Sequence, residues 1–226
     1  MPRFAHGVLR FQDDVFPAKK ALFERLSLGQ SPEALFFACA DSRIETAMIT
    51  QTVPGELFVC RNAGNIVPPH SNQTGAMTAS LEYAVAVLKV PHIVVCGHTE
   101  CGAMKGAMNP ASLGGLQHVR EWLGYARAAV EIVNGIGGDL DEAGRMQLLT
   151  EHNVILQLQH LRTHPSVAAR VATGDLELHG WVYDIRTGQV SAYDEEVRRF
   201  VPVAERYRDQ ASQRRTGTRT EAIRLV

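Results

Sequence analysis

The stretch Val94-Val95-Cys96-Gly97-His98-Thr99-Glu100-Cys101-Gly102 decides how this chain is read. An apolar, strand-like run ends in a glycine, and a histidine and a cysteine follow three residues apart. Imidazole and thiolate are borderline-soft ligands that suit Zn²⁺, and a zinc site needs three or four of them. A matching half lies upstream, in Leu35-Phe36-Phe37-Ala38-Cys39-Ala40-Asp41-Ser42-Arg43. There too an apolar run stops at a cysteine, with Asp and Arg at the next alternate positions. Strands ending in Cys-x-Asp-x-Arg and His-x-x-Cys are expected to bring Cys39, Asp41, His98 and Cys101 to one edge of a sheet. That is a complete tetrahedral ligand set.

Outward from these two strands, apolar runs alternate with helical patterns. Residues 34–39, 57–60 and 92–96 are short continuous apolar runs, as expected of strands buried on both faces of a parallel sheet. Residues 12–27 carry Val15, Phe16, Leu22, Phe23 and Leu26 at helical spacing, and Gln30-Ser31-Pro32 breaks the pattern. Residues 44–50 fit one short helix. Residues 76–90 form the clearest helix, with Met77, Leu81, Ala84, Val85 and Leu88 on one face and Pro91 as its stop. Residues 61–75 and 104–115, rich in Asn, Gly and Pro, are expected to be loops. Helices are expected over 116–133, 142–161 and 166–173. Residues 176–184 and 189–193 fit a hairpin around Arg186-Thr187-Gly188. The fold class is therefore α/β: a mostly parallel central sheet flanked by helices, with an N-terminal helical arm and a C-terminal hairpin at the sheet edge. Residues 1–204 form one domain, and 205–226 a polar, Arg-rich tail. Both ligand motifs fall at the carboxyl ends of strands, where open α/β sheets place their ligands.

Composition narrows the function classes. With 226 residues, 45% of them hydrophobic, the chain is long enough for one sizeable core. A net charge of -1 offers no electrostatic case for nucleic acid or an anionic membrane. No apolar run approaches the roughly 20 residues that span a bilayer, and residues 1–16 lack the apolar segment of a signal peptide. Four cysteines do not make a disulfide framework in a chain of this size, so a reducing, cytoplasmic setting is expected. Cys60 and Cys96 lie inside apolar strands with no partner motif and are expected to pack as core.

The chain resembles the β-class carbonic anhydrases, in their plant and cyanobacterial-type branch. The resemblance rests on Cys39-Ala40-Asp41-Ser42-Arg43, Arg61-Asn62-Ala63-Gly64-Asn65, Glu82-Tyr83-Ala84, Gly97-His98 through Cys101-Gly102, Glu151 and Asn153 with Thr163-His164-Pro165, and His179-Gly180-Trp181-Val182-Tyr183. It implies zinc on Cys39, His98 and Cys101, and reversible hydration of CO₂ to bicarbonate by attack of a zinc-bound hydroxide. Asp41 either closes the fourth zinc position or is held away from it by Arg43. Catalysis requires the second arrangement, since a catalytic zinc keeps one position open. The same resemblance implies a pocket for CO₂ and bicarbonate built from Gln30, Phe58, Tyr83 and the Gly102 backbone N–H. It also implies a homodimer, or a multiple of dimers such as a tetramer or octamer, with the N-terminal helix packed on the partner; association with a carboxysome is compatible with a cytoplasmic setting but is not shown by the sequence. Two departures stand out. Some members bind inhibitory bicarbonate with a Trp, an Arg and a Tyr; Arg61 and Tyr183 match, but Phe36 occupies the Trp position and has no N–H to give. Plant members carry a proton-relaying His where this chain has Val87.

Rival readings share the scaffold. Hydrolysis of carbon disulfide or carbonyl sulfide needs the same zinc chemistry and a different access route. A non-catalytic zinc scaffold would not need the Asp41–Arg43 pair. A zinc nucleobase deaminase needs H-x-E with P-C-x-x-C, and dinucleotide binding needs G-x-G-x-x-G after a strand; neither is present.

Overall fold

A computed structural model of the chain describes residues 2–208; the part of the expected polar tail from residue 209 onward lies outside the described residues. Six strands form one sheet: β1 Ala34–Cys39, β2 Leu57–Asn62, β3 His92–His98, β4 Glu177–Tyr183, β5 Val190–Asp194 and β6 Arg199–Pro202. Their order across the sheet is β2-β1-β3-β4-β5-β6. The first four run parallel, and β5 and β6 are antiparallel additions at one edge. β1 is buried at all six positions, which is why Ala-Leu-Phe-Phe-Ala-Cys shows no polar alternation.

Alternate residues of the central strands feed two different cores. Leu35, Phe37, Ile93 and Val95 pack with Leu81, Val85, Val154 and Leu158. Phe36, Ala38, Val94 and Cys96 face the other way, toward Ile44 and Trp181. The long helix Glu142–Arg162, capped by the Asp141 carboxylate accepting from Gly144 N at 2.8 Å, lies across β3 and β4. Two glycines let it approach. A Cβ on Gly180 would stand 2.8 Å from Val154 Cγ1 and 2.9 Å from Leu158 Cδ1, and one on Gly97 would stand 2.9 Å from Val154 Cγ2. Gly180→Ala is therefore expected to lower stability by roughly 1–3 kcal/mol through overpacking, read as a drop in the urea midpoint with an unchanged slope.

Three local expectations need correction. Residues 104–115 are not a loop: Gly102–Met108 is a helix and Pro110–Leu113 a 3₁₀ turn. Met104 and Ala107 bury beside Leu123 and Ala126, and Asn109-Pro110 ends this helix instead of belonging to a longer loop. The N-terminal arm begins at Arg3, well before residue 12, and runs through a widened turn at Phe11–Val15 to Leu26. The rings of Phe11, Phe16 and Phe23 cluster within the arm, yet none of its helical segments contains a buried residue. Third, the hairpin of β4 and β5 is extended by β6, whose Arg-Phe-Val-Pro is too short and too polar at its ends to signal a strand. Residues Val203–Arg206 form a last helical turn, and Tyr207 packs back on the sheet. Among the described residues no helix is long and apolar enough to cross a membrane.

Candidate metal centre

The chain leaves β1 toward β2 on one side and returns to β3 on the other, so the strand order reverses between β1 and β3. The carboxyl ends of strands at such a switch diverge and open a crevice. Cys39 is the last residue of β1, His98 the last of β3, and Cys101 follows at the N-cap of the Gly102–Met108 helix. All three are buried, and their ligand atoms lie within 4.8 Å of one another.

The donor chemistry fits zinc. The two sulfurs are 3.9 Å apart, against about 3.8 Å for two thiolates on one tetrahedral zinc with Zn–S of ~2.3 Å. His98 Nδ1 lies 2.8 Å from the Thr99 carbonyl, which only accepts, so Nδ1 carries the proton and Nε2 presents its lone pair. That Nε2 is buried without a hydrogen-bond partner, an arrangement a protein rarely keeps without a ligand to fill it. The two thiols shift in opposite directions. Cys39 is pushed below the ordinary thiol range, first by the hydrogen bond from Cys101 and also by that from the Gly64 N–H, which lies 3.4 Å from its sulfur. Cys101 is pushed up, first by its hydrogen bond to Cys39 and then by burial. Burial pushes the Cys96 thiol up to about 12 and raises Cys60 as well, so these two behave as core.

Asp41 stands beside the three ligands, gripped by Arg43. Its Oδ1 accepts from Arg43 Nε at 2.9 Å and from Arg43 N at 3.0 Å, and its Oδ2 accepts from Nη2 at 2.7 Å. The same Oδ2 is 3.9 Å from His98 Nε2. Arg43 holds the carboxyl well below the usual carboxylate range, chiefly through these side-chain hydrogen bonds. Arg43 is itself anchored by the Glu100 carbonyl at 3.0 Å, and Glu100 adopts φ 58°, a left-handed conformation that turns this carbonyl toward the pair.

Arg61 has a role that its motif alone did not reveal. Its guanidinium donates to the carbonyls of Cys39, Asp41 and Ile44 at 3.1, 2.8 and 2.7 Å. It straps down the loop bearing Asp41 and Arg43 from behind. Trp122 Nε1 and Asn153 Nδ2 likewise hold the Ala63 and Gly64 carbonyls, which fixes the backbone N–H aimed at Cys39. Carbonyl braces have no motif of their own, and only the presence of an Arg, a Trp and an Asn at these positions hinted at them.

The remaining sequence candidates fall in three places. Gly102 opens its helix beside Cys101, exposed, with nothing within 4 Å of where a Cβ would sit. Phe58 and Tyr83 form a wall, with ring centroids 6.1 Å apart and Tyr83 44% exposed. Gln30 is exposed in the segment between the arm and β1. Phe36 is buried edge-on to Trp181 at 5.9 Å, and Val87 is 60% exposed.

A buried Cys-His-Cys set at the switch point of an α/β sheet, with a carboxylate held beside it, defines a metalloenzyme site. Residues 34–190 match the family model described as Carbonic anhydrase. A carbonic anhydrase of Pseudomonas aeruginosa is 53% identical over 199 residues, covering 88% of this chain and 90% of that protein. A carbonic anhydrase of Synechocystis sp. is 41% identical over 202 residues, covering 89% and 74%. The solved β-carbonic anhydrase CcaA superposes with a TM-score of 0.86 at 41% identity, over 88% of this chain and 90% of that one. The chain belongs to the β-carbonic anhydrase family, whose members are zinc enzymes of CO₂ hydration.

Proposed function

We propose that this chain interconverts CO₂ and bicarbonate, with Cys39, His98 and Cys101 holding zinc and the Asp41–Arg43 pair governing the fourth position. One observation supports this most: the unpartnered lone pair of His98 Nε2, buried beside two sulfurs and an engaged carboxylate. Zinc bound there supplies Lewis acidity and brings the pKa of a water toward ~7. Arg43 occupies both Asp41 oxygens and keeps the carboxylate off the fourth position. Ionised Asp41 accepts a hydrogen bond from the reacting water and orients its lone pair toward the carbon of CO₂. The Gly102 N–H, at a helix N-terminus, offers a donor to a developing bicarbonate oxygen. With Val87 in place of a relaying imidazole, the product proton leaves by another group or by buffer.

The apolar wall of the pocket calls for a second copy. Phe58 pairs with Leu35, whereas Asn62 pairs with Cys39. Four residues of strand separate the two levels by ~13 Å, so Phe58 and Tyr83 do not wall their own chain's centre. Val59, Tyr83 and Val87 are nonetheless exposed, as are Phe4, Val8, Leu9, Phe11 and Phe16 of the arm. A homodimer, in which the arm wraps a partner and Gln30, Phe58 and Tyr83 face the partner's metal centre, covers this surface. A solved relative from Sordaria macrospora, 33% identical with a TM-score of 0.68 over 83% of this chain and 91% of that one, is described as tetrameric. All four cysteines are free and buried, which suits a cytoplasmic, reducing setting.

Stopped-flow CO₂ hydration with a pH indicator, from about pH 6.5 to about pH 9 on protein of known zinc content and oligomeric state, tests this reading. Turnover already fast near neutrality is the expected result. Activity confined to the alkaline end would overturn the open arrangement of Asp41. A zinc-loaded dimer inactive throughout, yet active on carbonyl sulfide or carbon disulfide, would replace the substrate.

A further inference from the structure

A second cluster of ligand-bearing side chains lies at the opposite end of the sheet. His92 opens β3 and His98 ends it six positions later, about 20 Å of strand away. The parallel register pairs His92 with Glu177 and Val94 with His179. Alternate residues of a strand share a face, so His92, Glu177 and His179 converge on one side of the sheet. His179 Nε2 and His92 Nδ1 face each other at 3.2 Å, and Glu177 Oε2 is 3.7 Å from each of them. Two imidazole nitrogens on one tetrahedral zinc stand about 3.3 Å apart for Zn–N of ~2.0–2.1 Å. The pair therefore already has the spacing of a metal's two ligands, and the carboxylate needs only a small side-chain adjustment to close on the same point.

The surroundings fit such an ion. The other nitrogen of His179, Nδ1, is 3.0 Å from the Tyr207 hydroxyl, which also accepts from Trp181 Nε1 at 3.1 Å. A phenol oxygen has room to accept from both, and in the tautomer where Nδ1 donates to it, His179 Nε2 presents its lone pair toward His92 Nδ1. A metal-ligating histidine regularly has its second nitrogen fixed in this way. The His179 side chain is only 16% exposed, while His92 and Glu177 open to solvent at 40% and 60%, so an ion has an entry path. Burial first, and then His92, push His179 down to about 4. Arg206, a cation close enough to act on His179, has Asp194 as a partner at 3.6 Å.

We propose that His92, Glu177 and His179 form a second, non-catalytic site for a divalent transition cation that favours imidazole, Zn²⁺ above all. It does not depend on the reading of the first centre. Through Tyr207 it ties the C-terminal turn Val203–Arg206 to β4. The test is zinc titration of the holoenzyme already carrying its first equivalent, followed by calorimetry and elemental analysis. Wild type is expected to take a second equivalent per chain and to gain thermal stability with it. His92→Gln, at a half-exposed position that leaves the fold intact, and His179→Gln are each expected to weaken that equivalent by about 100-fold or more. Each should also lose the thermal shift while keeping CO₂ hydration at one zinc per chain. Saturation of wild type at one equivalent would overturn the proposal and leave a hydrogen-bonded imidazole pair. A second equivalent that persists unchanged in both variants would place it on other histidines, and would equally overturn the proposal.

Discussion

Cys101→Ser is expected to release the catalytic zinc and to lower kcat/KM for CO₂ hydration by at least about 10³-fold, with the fold retained. The sulfur lies 3.9 Å from that of Cys39, and Cys101 is 1% exposed. A serine hydroxyl nearly matches the thiol in shape, so the packing of the Gly102–Met108 helix survives. It does not ionise near neutral pH and so brings no anionic ligand, and a zinc left with one thiolate and one imidazole is poorly held. Cys96→Ser is the matching control. That thiol is also buried, but burial pushes it up to about 12, and it faces Phe36 and Val94 instead of the crevice. It should cost some stability and leave zinc and turnover in place. Elemental analysis after dialysis, circular dichroism and stopped-flow rates on the two variants decide the matter. Because His92, Glu177 and His179 offer zinc another home, the clearest version sets Cys101→Ser in a His92→Gln background. A Cys101→Ser protein that still holds one zinc there and turns over normally would mean that the centre is misplaced.

Much of this site was legible in the chain because strand endings are legible. Val-Val-Cys-Gly-His and Phe-Phe-Ala-Cys each show where an apolar strand stops, and parallel topology then brings the stops together. The alternation of Asp41 and Arg43 foretold that they share a side, and they do. What stayed hidden depends on contacts between distant elements. The Gly102–Met108 helix is short and glycine-rich, and is held by burial of Met104 against Leu123, so propensity alone suggested a loop. Strand β6 exists because β5 offers it an edge. Arg61 braces three carbonyls that are adjacent only once the loop is folded. His92 and His179 are 87 residues apart, and only the β3–β4 register makes them neighbours.

The Asp41–Arg43 pair yields the second large effect. Asp41→Asn is expected to keep its zinc and, on the proposed role of Asp41, to lose about 10²–10³-fold in kcat, since the amide preserves the shape but not the charge which that role requires. Arg43→Gln is expected to act differently. It removes both side-chain hydrogen bonds that occupy the carboxylate, so Asp41 is released with its charge intact, 3.9 Å from His98 Nε2 and free to move onto the fourth position. Neutral-pH turnover should then fall by roughly 100-fold or more, with zinc held at least as tightly as in wild type. The pH dependence carries a sign. In the folded protein the Asp41 carboxyl titrates below its unfolded value, chiefly because of Arg43. The pair's contribution to stability is therefore fully present above the ordinary carboxylate range, near pH ~4, and fades as pH falls through the lower folded value. Arg43 is 49% exposed, so solvent screens this contribution and it is modest. The stability gap between wild type and Arg43→Gln should thus be constant from neutrality down to the carboxylate range and close below it, as read from urea midpoints along a pH series. An Arg43→Gln enzyme with wild-type turnover at neutral pH would show that Asp41 needs no restraint, and the open position would have to be kept by something other than this pair.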